Sequence, residues 1–118
     1  MTAFFNTGLS QQEFLEQYWQ KKPLLIRQAF ADFESPISPD DLAGLACEPE
    51  IESRLIEEQG ADGSWQVTNG PLSEQDFSRL PATHWTMLVQ DVDKHLPDLQ
   101  YLLDPFRFIP DWRRDDLM

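Results

Sequence analysis

Pro105-Phe106-Arg107-Phe108-Ile109-Pro110-Asp111-Trp112-Arg113-Arg114-Asp115-Asp116-Leu117-Met118 is the stretch on which the fold reading turns. Polar and apolar residues alternate along it, the period-two pattern of a strand with one face toward a core. It predicts an ordered approach into a strand over 106–118. The run ends on Leu117-Met118 with no polar tail, and an apolar terminus frays into water unless a partner element holds it. The expectation is therefore the front part of a longer protein whose chemistry lies in polypeptide that follows.

Working outward, Leu96, Leu99, Leu102 and Leu103 recur at helical spacing and predict a helix over 93–103, with Pro97 in its first turn. Before it, Trp85-Thr86-Met87-Leu88-Val89 is dense in strand-favouring residues and predicts a strand. The segment 72–77 suggests a short helix or turn. Two further strand candidates, 51–57 and 64–68, are joined by a loop containing Asp62-Gly63 and form a hairpin. Ser38-Pro39-Asp40-Asp41 starts a helix, with Ser38 as cap, Pro39 at the first helical position and acids in the first turn; it runs to about Cys47. Leu24-Leu25-Ile26 predicts a short buried strand. Ser10-Gln11-Gln12-Glu13 is a capping-box pattern opening a helix with Phe14, Leu15, Tyr18 and Trp19 on one face. That helix is expected to end at Lys21-Lys22, before Pro23. The class is α+β, with short strands and covering helices in one domain.

Composition narrows the partners. The chain is 118 residues long and 41% hydrophobic, which is globular and not disordered. Nine basic against 21 acidic residues leave a net charge of −12, with a pI near 4.3. Such a chain repels phosphate backbones, so direct nucleic-acid binding is not expected and a basic protein is the favoured partner. Cys47 is the only cysteine, which excludes an internal disulfide and a cysteine-based zinc site and fits a small buried thiol. Neither a signal peptide nor a membrane-length apolar run is visible, and the expected compartment is the cytoplasm.

A search for chemistry in the residues themselves finds no complete site. A non-haem iron triad needs two imidazoles and a carboxylate converging on one ion. His84, His95 and Asp98 supply the residue types, but their spacing gives no reason for convergence. No Gly-x-Ser-x-Gly elbow or phosphate-cradling glycine loop is present. The acid pairs of Asp91-Val92-Asp93 and Asp115-Asp116 are candidates for a cation or an arginine, or simply solvated faces. Trp112 beside Arg113 and Arg114 suits a stacked rim or ordinary packing. Arg54, inside a predicted strand, needs a carboxylate partner if it points inward, since an unpaired buried guanidinium is costly; a structural ion pair is expected ahead of a ligand contact.

Taken in order, several segments carry a resemblance. They are Trp19-Gln20-Lys21-Lys22-Pro23, the run 36–46, Ser53-Arg54-Leu55, Trp65-Gln66-Val67, Gly70-Pro71, Leu88-Val89-Gln90, Pro105-Phe106-Arg107 and the run 110–118. From about residue 12 onward the chain resembles the N-terminal part of the bacterial ribosomal oxygenases, JmjC-type members of the cupin superfamily. The resemblance implies an iron(II)- and 2-oxoglutarate-dependent hydroxylase that acts on carbon 3 of an arginine in a large-subunit ribosomal protein. It implies helices and early strands that buttress a cupin-like double-stranded β-helix, the barrel being incomplete over residues 1–118. In the family the His-x-Asp iron motif follows the Asp-Asp-Leu-Met segment, and the last iron histidine and the group for 2-oxoglutarate come later still. No catalytic, cofactor-binding or metal residue is therefore assigned in this chain, and none of these groups is expected to bind to it alone. The family's dimerising region is C-terminal, so a dimer is expected only with that region. Two other readings stay open: a stand-alone acidic module that holds a basic protein, and a relic whose exposed sheet edge drives self-association.

Overall fold

Ser38 and Ser73 each sit one residue before a helix and turn their hydroxyls onto it, so local capping chemistry sets two of the fold's starting points. The computed structural model describes Phe5 and residues 8–118. They belong to two units: Met1–Ser35 with Leu102–Arg114, and Pro36–Tyr101 with Asp115–Met118.

In the first unit, α1 (Gln11–Gln17) begins at Ser10, whose side chain accepts from the Glu13 backbone N–H at 3.0 Å. The return half of the capping box is not formed among the described residues. The helix also stops earlier than the spacing predicted. Tyr18 leaves helical geometry at φ −120°, and Gln20 turns left-handed at φ +61°. The apolar face nevertheless finds partners: Phe14 meets Phe108 edge-on at 6.0 Å, and Arg113 lies over the Trp19 ring at 5.8 Å. The predicted strand at Leu24-Leu25-Ile26 is absent. The segment pairs with no strand among the described residues, and Leu25 is 74% exposed. Further along, Phe30 and Phe106 pack with Phe5 at 5.0 and 5.5 Å between ring centres, an aromatic cluster in which Phe30 stays 42% exposed.

The second unit is built on a three-stranded antiparallel sheet in the order β2-β1-β3. β1 (Ser53–Gln59) and β2 (Ser64–Asn69) form the predicted hairpin, β1 beginning two residues later than the pattern suggested. Gly60 and Gly63 turn the chain at φ +69° and +73°, and Asp62 accepts from the Ser64 N–H at 3.1 Å. β3 (Trp85–Val89) is the predicted strand, residue for residue, and pairs with the free side of β1. Leu55 of β1 and Val89 of β3 are almost fully buried on one sheet face. Each such burial is worth about 1.5–3 kcal/mol against exposure.

α2 (Pro39–Ala46) follows Ser38 as read, with Cys47 its half-buried C-cap. Its last residue, Ala46, is fully buried, and its carbonyl receives both the Ser53 hydroxyl and the Leu72 N–H. α3 (Glu74–Ser78) fills the predicted short helix, and here the full reciprocal box forms between Ser73 and Asp76.

The predicted helix over 93–103 is instead broken in two. α4 (Val92–His95) is a single turn, and a 3₁₀ helix runs over Pro97–Phe106. Leu96 between them is extended at φ −124°, ψ 81°. Pro97 is the reason: its ring crowds the preceding residue out of helical geometry, and it has no N–H to continue the ladder. The predicted strand over 106–118 is also corrected. Among the described residues this stretch holds the end of that helix, a 3₁₀ turn at Asp111–Arg113 and irregular backbone after it. Pro110 removes a donor that a ladder would need, and among the described residues no strand pairs with this stretch.

Candidate functional site

Asp115–Met118 has no secondary structure, yet it is held by a set of bonds to α4. Val92 donates its backbone N–H to the Leu117 carbonyl at 2.9 Å, and the Leu117 N–H returns to Asp93 Oδ1 at 2.9 Å. Asp116 Oδ2 accepts from the Asp91 N–H at 2.7 Å. The two acid clusters singled out in the sequence thus do converge, but Asp116 spends a carboxylate on the Asp91 backbone and Asp93 spends one on the backbone of Leu117, next to the other pair. Asp93 is only 6% exposed, so its bond is shielded from water. Asp91 reaches this geometry in the left-handed region at φ +56°, which an aspartate tolerates better than most residues. Its own carboxylate pairs with Lys94 at 2.8 Å, and that bond holds the Lys94 ammonium above its ordinary pKa.

The outcome is a positioned segment. Asp115 and Met118 are exposed, while Asp116 and Leu117 are half-buried and fixed. The sequence marked Asp93 only as half of an acid pair for a cation or an arginine, not as the acceptor that fixes residues 115–118.

The histidines do not join this site. His84 stands before β3 in the left-handed region at φ +68°, with Nδ1 2.7 Å from its neighbour Thr83 Oγ1. His95 closes α4 beyond the other end of β3, and both are exposed. Asp98 lies in the 3₁₀ helix that follows. Among the described residues no three His, Cys, Asp or Glu side chains come together in a way that could hold a metal ion. The described residues therefore do not fit an iron centre.

Arg54 departs from expectation. It forms no ion pair among the described residues, and its Nε is buried without a hydrogen-bond partner. The register explains this. Its cross-strand neighbours are Asn69 and Leu88, so no carboxylate stands opposite. The same sheet face carries Trp65 and Val67, which are 68% and 51% exposed. Trp112 resolves the other open alternative in favour of the rim: it is 80% exposed, and Arg113 stacks over it at 5.3 Å. Arg114 pairs with Asp111 and donates from Nε to the Ile109 carbonyl at 3.0 Å. No helix among the described residues is long and apolar enough to cross a membrane.

Comparison with known proteins places these features. No protein-family model matches the chain. The ribosomal protein uL16 3-hydroxylase of Escherichia coli K12 is 48% identical over 114 residues, which are 97% of this chain and 30% of that protein. A probable ribosomal oxygenase of Haemophilus influenzae is 42% identical over 105 residues, covering 89% of this chain and 26% of that one. The solved structure of YcfD, a ribosomal oxygenase from Escherichia coli, superposes with a TM-score of 0.81 at 47% identity, over 92% of this chain and 29% of YcfD. Its complex with cobalt and 2-oxoglutarate superposes with a TM-score of 0.82. The chain thus spans less than a third of the length of the relatives it matches. In sequence and in fold it corresponds to the N-terminal part of a ribosomal oxygenase.

Proposed function

We propose that this chain is the N-terminal portion of a JmjC-type, cupin-fold hydroxylase that uses iron(II) and 2-oxoglutarate to hydroxylate an arginine of a large-subunit ribosomal protein in the cytoplasm. The observation that carries the reading is the 48% identity to the uL16 3-hydroxylase over 97% of this chain. In this reading the helices and the sheet buttress a barrel supplied by further polypeptide, and the bonds from Asp93 and Asp116 deliver Asp115–Met118 to it in a defined position. When bound, the metal and 2-oxoglutarate would activate oxygen. The ligands for both belong to the rest of the enzyme, so the 118 residues alone are inactive. Dimerisation likewise depends on that remainder. The charge of −12 suits a basic ribosomal protein as substrate.

A chimera tests this. The chain replaces the matching segment of the Escherichia coli relative, and the product is incubated with ribosomal protein uL16, iron(II), ascorbate and 2-oxoglutarate. Tandem mass spectrometry is expected to find one added oxygen on an arginine. A soluble, folded chimera that adds none refutes the reading. In parallel, calorimetric titration of the chain alone with iron(II) and 2-oxoglutarate is expected to show no stoichiometric micromolar binding, and such binding would contradict the assignment of the ligands elsewhere.

A further inference from the structure

Between α2 and the backbone after α4 lies a groove of about 670 Å³. Its apolar floor includes Leu45, Leu96 and the buried Leu99. Its lining also includes four carboxylates, Asp40, Asp41, Glu48 and Asp98. None of them is paired with a lysine or arginine among the described residues, where all the ion pairs lie elsewhere. Asp40 and Asp41 have a local reason to be there, since they stand in the first turn of α2, where the helix dipole favours acids. Glu48 has the opposite setting. It follows the C-cap Cys47 at the negative end of the same helix, and no basic residue occupies the last turn. Glu48 and Asp98 therefore raise the negative potential of the groove without relief from within the described chain.

We propose that this groove is a docking site for a basic peptide segment that seats a leucine-like side chain on Leu45, Leu96 and Leu99 with lysine or arginine on either side. Charge selects the occupant. A second copy of a chain carrying −12, or a phosphate backbone, would be repelled by the carboxylate rim. A free cation has no cluster of ligands to hold it among the described residues. The apolar floor distinguishes the groove from a merely solvated acidic face, because a purely cationic ligand would leave it wet. Gly44 of α2 borders the groove, and a Cβ added there would meet nothing within 4 Å. The site can therefore be filled from within the protein without disturbing the helix. The proposal is independent of the hydroxylase reading, since binding is measured without iron or 2-oxoglutarate.

Fluorescence anisotropy with a labelled Lys-Lys-Leu-Leu-Lys-Lys peptide, titrated with the 118-residue chain, tests it. The same peptide with both leucines replaced by asparagine is expected to bind at least about fivefold more weakly. Glu48→Gln with Asp98→Asn is expected to weaken binding about fivefold, while Glu58→Gln with Glu74→Gln, an equal charge change at exposed residues that do not line the groove, changes it less than about twofold. Gly44→Met leaves the net charge unaltered and improves helix propensity, so a stable fold with lost binding is the expected result. Equal affinity for the two peptides, equal losses in the two charge-matched variants, full binding by folded Gly44→Met, or no binding of the leucine peptide would each overturn the proposal.

Discussion

Replacing Asp93 with alanine removes the one carboxylate that receives the Leu117 N–H, a bond of 2.9 Å made by a side chain 6% exposed. A hydrogen bond to a charged group contributes about 1.5–3 kcal/mol, and a buried donor left without a partner costs a similar amount. The Leu117 N–H is only partly shielded, so water can recover some of that cost, and about 2 kcal/mol is the expected loss for closure of the terminal segment. At about 1.4 kcal/mol per tenfold, this is roughly a thirtyfold rise in the opening constant. Two flanking bonds, Val92 N–H to the Leu117 carbonyl and Asp91 N–H to Asp116, survive the substitution itself and confine the effect. Amide hydrogen exchange followed by NMR is the direct assay. Leu117 and Val92 should lose about thirtyfold in protection, while amides of β1 keep theirs. Asp93→Asn retains a carbonyl acceptor without the charge and should lose about 1 kcal/mol. Unchanged exchange at Leu117 in Asp93→Ala would refute the view that this carboxylate holds the chain end.

Three other outcomes are expected. Gly70→Ala should destabilise by about 1–3 kcal/mol in urea melts, because the new Cβ would overlap the buried Ser53 hydroxyl and lie 3.3 Å from the Ser53 Cβ; an unchanged midpoint would mean that the hairpin can shift at no cost. Gly44→Ala should do the reverse and stabilise by about 0.5–1 kcal/mol, since the position is helical and the added methyl meets nothing within 4 Å; a lower melting temperature would contradict this. Asp76 should titrate below the ordinary carboxylate range, because the Ser73 backbone N–H and hydroxyl stabilise its charge and Arg79 adds to them. With the folded value lowered, its contribution to stability is present above the unfolded carboxylate pKa and disappears as pH falls through the folded value. A carboxylate NMR titration of the native protein at or above the ordinary value would be inconsistent with that bond.

Some of this protein was written in short-range chemistry. Ser38-Pro39-Asp40-Asp41 determines where α2 begins, because cap, ring and dipole act within one turn of each other. Trp85 to Val89 declares a strand through side-chain shape, and the glycines at 60 and 63 determine where the hairpin turns. The ordered motifs up to Asp115-Asp116-Leu117-Met118 also carried the relationship to ribosomal oxygenases. Failures cluster where the outcome depends on what lies across space. Leu24-Leu25-Ile26 and the stretch after Phe106 have the composition of strands, but a strand exists only when a neighbour accepts its hydrogen bonds. Pro97 reads as part of a helix's first turn, but in the structure the chain breaks before it and a 3₁₀ helix starts there. Arg54 was legible as a charge inside a strand that would need a carboxylate if it faced inward, but not that the register would set Asn69 and Leu88 beside it, on the face opposite buried Leu55. Likewise, the two acid clusters could be recognised but not matched, since the bonds that join their segments span 24 and 25 residues. Spacing along the chain reports local geometry, whereas the bonds from Asp93 to Leu117 and from Asp116 to Asp91 exist only once packing has brought the two segments together.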